Sequence, residues 1–401
     1  MPSLSIPTGI LSSTAAKVAV AVAFLAIGGV AAAQIGALDA VVGSDDTDSI
    51  EQVPDGVDTV ASFDASVLED EKTNRLYVAA YNATVGAAME DAENESDERE
   101  TEMRPGASPA EMVPANASAA LDKVENESGL DPRAVDEVVV FQQHRENYTQ
   151  PQYSGAIVHA DWNESAVVDA VSNSSEQTYV NTTVDGVTVY KPEATEESEE
   201  EDEISFGAPE PEQWVAVLDD GEYVFGTEQA VNDTIQVAVG EADPVDGDLR
   251  SAYDDTKDGY FRYAQRSQNV NVTRINQTMG QRTGLNVTAY AQAYNDLHVT
   301  SGSYYLTDDG LGFQSRTLTN STDTARDVQD LTQGFISIQA GAIQNETIEN
   351  ELRSTEVSRD GTTVTVTRET SMETAVKLIK WFGSALGADQ QSAGVAAQPI
   401  A

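Results

Sequence analysis

The sequence contains no cysteine. Disulfides, thiolate nucleophiles, cysteine-ligated zinc or iron–sulfur centres and a lipid anchor on an amino-terminal cysteine are excluded together. The redox compartment stays open, because the absence suits either side of a membrane. Histidine is scarce: His144, His159 and His298 fall on separate stretches, with no His-x-x-x-His pair for a metal. No Gly-x-Ser-x-Gly elbow, phosphate loop or Gly-x-Gly-x-x-Gly fingerprint occurs. Basic residues number 22 against 68 acidic ones, for a formal net charge of −46. With no basic stripe to meet phosphates, nucleic-acid binding is excluded. No cofactor is expected.

What is abundant is carboxylate. Acidic residues recur from Asp39 to Asp389, so a single acidic tail on an ordinary protein does not describe the chain. Lysine, with 7 residues, is outnumbered by 15 arginines. In dilute buffer such a surface repels itself. At molar salt the Debye length falls to about 3 Å and the repulsion is screened. Carboxylate pairs for acid–base chemistry discriminate nothing here, since 68 acids supply them by chance.

One long apolar run exists. Val18–Leu38 has 21 residues, no charge and one polar side chain, Gln34. At 1.5 Å per residue it spans roughly 31 Å, the thickness of a bilayer's hydrocarbon core. Lys17 precedes it and Asp39, Asp45, Asp46 and Asp48 follow, so the amino terminus is expected inside and the remainder outside. The run reads as a signal anchor, or as a signal peptide cleaved after Ala33 in Ala31-Ala32-Ala33.

Fourteen of eighteen asparagines head an Asn-x-Ser/Thr acceptor: Asn82, Asn94, Asn116, Asn126, Asn147, Asn163, Asn173, Asn181, Asn232, Asn271, Asn276, Asn286, Asn320 and Asn345. Random placement gives roughly 3. All fourteen follow the apolar run. Helix capping explains a few, such as Asn163 and Asn320, and not the set.

The remaining pattern predicts an α+β fold: antiparallel-sheet modules after the transmembrane helix. Residues 1–43 are tail and anchor, and 44–56 a linker. A first module covers 57–270, with acidic insertions at 90–115 and 192–210; a second covers 285–386, and 387–401 is a tail. Strands are expected at Val57–Phe63, Glu137–Phe141, Ser154–Ala160, Tyr179–Thr183, Val187–Tyr190, Trp214–Leu218 and Tyr223–Phe225. Asp-Gly pairs at 185, 220, 309 and 360 mark hairpins. Helices are expected at 161–171, 229–239, 322–352 (broken near Gly334 or Gly341) and 372–386.

Ile157–Tyr190 and Phe313–Thr370 share one grammar: strand, helix, strand, Asp-Gly, strand. This predicts duplicated ferredoxin-like, split β-α-β units, with helices on one face of each sheet. Asp254, Thr256, Asp258 and Gly259 fit the opening of a calcium loop, but Gln265 stands where its bidentate glutamate belongs. A helix end, a turn and a strand from Tyr260 describe that stretch better. The last helix, carrying Trp381, Lys377 and Lys380, is expected to pack against the second module.

Acidic balance, apolar segment, sequon density and hairpin grammar together resemble those of exported haloarchaeal surface proteins of unassigned function. The resemblance is one of style and carries no catalytic residues. It implies a non-enzymatic, membrane-tethered surface glycoprotein with a structural, adhesive or partner-binding role. Expected partners are the membrane, through the amino-terminal helix, and surface-layer or other envelope proteins. A secreted salt-adapted hydrolase and an extracytoplasmic ligand-binding module are the alternatives.

Overall fold

The computed structural model describes residues 49–82, 114, 116–144, 153–175, 178–193, 212–267, 295–342 and 345–379. Val18–Leu38, the expected tail 387–401, most of both acidic insertions and Trp381 lie outside them. Among the described residues no helix is long and apolar enough to cross a membrane.

The strands are β1 (Thr59–Asp64), β2 (Val135–Gln143), β3 (Tyr153–Ala160), β4 (Tyr179–Val184), β5 (Val187–Pro192) and β6 (Trp214–Asp219). They continue with β7 (Glu222–Gly226), β8 (Phe261–Arg266), β9 (Leu297–Leu306), β10 (Gly310–Thr319), β11 (Glu356–Asp360) and β12 (Thr363–Ser371). All join one sheet in the order β11-β12-β10-β9-β8-β1-β2-β3-β7-β6-β5-β4. Every neighbouring pair is antiparallel.

The fold is therefore α+β around a large antiparallel sheet, as expected. Where two sheets are expected, however, one sheet runs through both halves. β1 pairs with β8 at its centre, and β8 pairs with β9 across residues 270–285. In the second half β10 and β11 run parallel with β12 between them, a split β-α-β. In the first half β3 and β4 also run parallel, but β7, β6 and β5 lie between them.

The helices are α1 (Glu71–Tyr81), α2 (Ala117–Ser128), α3 (Glu164–Ser175), α4 (Glu228–Ala238), α5 (Gly247–Asp254), α6 (Thr322–Ala342) and α7 (Glu346–Arg353). A last one, α8, covers residues 372–379. Asn116 starts α2 by accepting the Ala119 N–H, and left-handed Gly129 (φ 76°) stops it.

The expectation of helices on one face needs correction. Phe63, Val138, Val158 and Phe225 pack with α1, α2 and α3. Val60, Val139, Ile157 and Val224 pack on the opposite face with α4 and α5. The reason was written in β2, whose run Val138-Val-Val-Phe141 is apolar at consecutive positions; a strand that alternates covers one face, and this one needs two covers.

Beyond β9 the alternation returns, and the side of β11 and β12 bearing Ser358, Thr365 and Thr367 is polar. A third cluster joins Leu76, Ala79 and Ala80 of α1 to Met372, Ala375 and Ile379 of α8. The last helix thus packs on the first half of the chain as well as on Leu311 of β10, and not on the second half alone.

Candidate functional site

Nine of the fourteen acceptors are described. Asn82, Asn116, Asn126, Asn163, Asn173, Asn181 and Asn320 are exposed, while Asn232 and Asn345 are partly buried. Asn94, Asn147, Asn271, Asn276 and Asn286 lie outside the described residues. Three exposed or partly buried acceptors double as caps at helix amino termini. Asn116, Asn163 and Asn345 each accept a backbone N–H through Oδ1. A glycan attaches at Nδ2, so capping and modification use different atoms of one side chain. Asn181 lies on β4, an edge of the sheet. Asn232 differs: its Oδ1 is buried without a hydrogen-bond partner.

The three histidines stay apart. His159 Nε2 lies 3.3 Å from Glu222 across β3 and β7. His298 Nε2 lies 2.6 Å from Asp248 on α5. His144, past the end of β2, donates its backbone N–H to Asp58. Each of the first two has one carboxylate and no third group, and no metal-ligating cluster of three occurs among the described residues. An open recess is lined by Glu164, Ser165, Val168, Asp169 and Tyr190. There the Tyr190 hydroxyl donates to Glu164 at 2.5 Å, and that bond pushes the phenol up to about 12. Glu164 and Asp169 are both exposed.

The stretch compared with a calcium loop is a helix end. α5 closes at Asp254, and the carboxylates that follow turn to arginines rather than to a common centre. Asp254 meets Arg250 at 2.9 Å, Asp255 meets Arg316 at 3.0 Å and Asp258 meets Arg262 at 3.9 Å. Lys257 Nζ sits 3.5 Å over the Tyr305 ring.

One constellation was not read from the sequence. Phe261 and Tyr304 pack with ring centroids 5.4 Å apart, and Tyr304 and Phe313 at 4.8 Å. Tyr263 stacks on Phe261 at 5.2 Å. Register carries these rings to one side of β8, β9 and β10. Burial pushes the phenols of Tyr260, Tyr263 and Tyr304 up from their ordinary value. Arg368 of β12 flanks Phe313 in register and meets Glu351 of α7 at 3.5 Å.

The Arg368 and Glu351 side chains are 27% and 14% exposed. Burial raises the Glu351 carboxyl, against the pull of Arg368, and lowers the Arg368 guanidinium, against the pull of Glu351. Alternating period-2 strands show that aromatics will share a face, but not which strands become neighbours, and so the cluster has no local signal.

Removing Arg368 strands the carboxylate. Arg368→Met is expected to cost about 2 kcal/mol at neutral pH, below the figure for a fully buried pair because both groups keep some solvent. Without its partner, Glu351 in the fold rises further above its ordinary value of 4.5. A carboxyl raised in the fold binds its proton more tightly folded than unfolded. Its cost is therefore full above the folded pKa and absent below the unfolded one. Urea unfolding at a series of pH values should show the variant's deficit narrowing as pH falls towards 4.5; a deficit independent of pH contradicts the assignment.

No family model matches this chain, and no curated protein matches it. Among solved structures it is similar to three crystal forms of TP0453, a bacterial protein. Form III gives a TM-score of 0.37 at 10% identity, covering 84% of this chain and 100% of that one. Form I gives 0.38 at 9%, covering 84% and 98%, and form IV gives 0.36 at 10%, covering 84% and 97%.

Proposed function

We propose that this chain is an exported glycoprotein, held at the outer face of a membrane by Val18–Leu38, whose α+β body serves as a non-enzymatic scaffold for envelope partners. The observation that carries the reading is the placement of the acceptors: none of the nine described ones is buried and seven are exposed. The acidic surface fits a saline exterior, where its self-repulsion is screened.

The body is built from one duplicated unit: a strand, a hairpin, a helix, then a meander whose last strand returns to the hairpin. A matched detail supports the duplication. Phe141 lies opposite Gly155 in the β2–β3 hairpin, and Tyr305 opposite Gly312 in β9–β10. In both, the glycine is the third residue of the second strand and leaves room for the ring.

Glycopeptide mass spectrometry of the native protein tests the reading. Occupancy is expected at Asn116, Asn126, Asn163, Asn173, Asn181 and Asn320. It should be lowest at Asn232, whose buried Oδ1 requires local opening before an enzyme can reach it. Native protein with all fourteen peptides unmodified would end the proposal.

A further inference from the structure

Four large apolar side chains are exposed among the described residues, and three of them stand on α6. Leu331 is 37% exposed, Phe335 50% and Ile338 71%. Their spacing of four and three residues puts them in one stripe. The opposite side of the helix carries buried Ala325 and Ala340, and Gln329 there donates to the Val357 carbonyl of β11. The stripe therefore points away from the sheet.

Its setting is unusual for this chain. From Leu331 to Asn345 there are 15 residues without a charge, in a sequence 22% charged. The first turns of the same helix hold Asp323, Asp327 and Asp330. A carboxylate coat keeps a surface in water, and here the coat stops where the apolar side chains begin. A helix apolar on two sides wants a cover on both.

We infer that the Leu331–Ile338 stripe of α6 docks into the interfacial layer of a lipid bilayer. The inference rests on the proposed anchor and deepens it: the tethered body would lie against the membrane rather than stand off it. Reach permits this. Residues 39–48 separate the apolar run from the described body, ten residues that extend to about 35 Å. From β1 to β11 there are five strand spacings of about 4.8 Å, roughly 24 Å across the sheet.

A second copy of the chain fits less well. Three partly exposed side chains offer roughly 300 Å² per copy, far below the ~800 Å² per partner of a stable interface. A tether makes weak docking sufficient, because it turns the encounter into an intramolecular one. Asn320 and Asn345 bracket the helix, and no acceptor falls within the stripe.

The absence of cysteine makes the test clean. Ile338→Cys and, as a control on the charged first turns, Arg326→Cys would carry a fluorophore in the full chain. The protein is mixed in molar salt with phosphatidylcholine vesicles bearing a quencher on the acyl chain. Quenching at 338 several-fold above that at 326 is expected. Equal quenching at the two positions overturns the docking, as does self-quenching at 338 that grows with protein concentration and marks a second copy.

Flotation separates docking from anchoring. With the fluorophore carried instead at Gly334→Cys, where a Cβ meets open space, wild type and Phe335→Ser/Ile338→Ser should both float, held by the anchor, with quenching lost only in the double variant. Flotation of wild type without quenching sinks the docking and keeps the anchor. Flotation abolished by the double variant keeps the docking and sinks the anchor, and no flotation with no quenching sinks both.

Discussion

Lowering sodium chloride from molar to about 0.1 M is expected to unfold the protein, with loss of its far-UV circular dichroism. The cause is the net charge of −46. Two like charges 10 Å apart in water repel by about 0.4 kcal/mol before screening. With a Debye length of about 3 Å at 1 M that falls to about 0.01 kcal/mol, whereas at 0.1 M, with about 10 Å, some 0.15 kcal/mol survives. A few tens of such neighbours then oppose the compact state by about 5 kcal/mol, comparable to the whole stability of a domain.

Local ion pairs do not offset this. Arg133 gathers Asp122, Glu125 and Asp131 around one guanidinium, and Arg250 holds Asp254. Such pairs are partly exposed, and each is worth less than about 1 kcal/mol. Sixty-eight acids leave most carboxylates without a base. A spectrum unchanged between the two salt concentrations would remove the screening argument, and with it the reading of a saline exterior.

Much of the fold was legible because its signals are local. The Asp-Gly pairs show why, and where such reasoning thins. Asp185 and Gly186 both take positive φ, 49° and 89°, which is what a two-residue hairpin turn demands. Gly221 and Gly361 are left-handed too, at the tips of β6–β7 and β11–β12. Asp309-Gly310 also sits between paired strands, but for another reason. Gly310 has no positive φ; a Cβ there would lie 1.9 Å from the Thr370 carbonyl oxygen, so the glycine serves the close approach of β12. The same letters mark a turn in one place and a tight strand contact in the other.

The break in the long carboxyl-terminal helical stretch also follows from local signals. α6 ends at Ala342, just after Gly341, and Asn345 begins α7 by accepting two backbone N–H groups. Pairings between distant strands leave no such trace. β1 and β8 lie some two hundred residues apart in sequence, yet they form the centre of the sheet. Nothing within either strand names the other. The aromatic cluster and the Arg368–Glu351 pair depend on that assembly, so they emerge only with the structure.

The pairing of rings with glycines offers the sharpest test of the packing. Phe141 is 1% exposed, tilted against Tyr153 with ring centroids 6.3 Å apart, and lies over Gly155 on the neighbouring strand. Truncating it in Phe141→Ala removes a ring from the middle of the sheet, for an expected loss of about 4 kcal/mol in urea unfolding at molar salt. The opposite change fails by crowding. In Gly155→Ala the new Cβ would lie 2.4 Å from the ring, and the buried ring has no solvent to swing into. About 2 kcal/mol or more is expected from that overpacking.

The combination decides the matter. In Phe141→Ala/Gly155→Ala the added methyl enters space the ring has vacated, so the double variant should be more stable than the two losses predict, by about 1–2 kcal/mol of coupling. Tyr305 and Gly312 are built alike, with a Cβ at 312 falling 2.0 Å from the ring, and the same sign of coupling is expected there. Losses that add independently at both sites would mean the rings do not need their glycines. The matched pairs would then cease to support a duplicated unit.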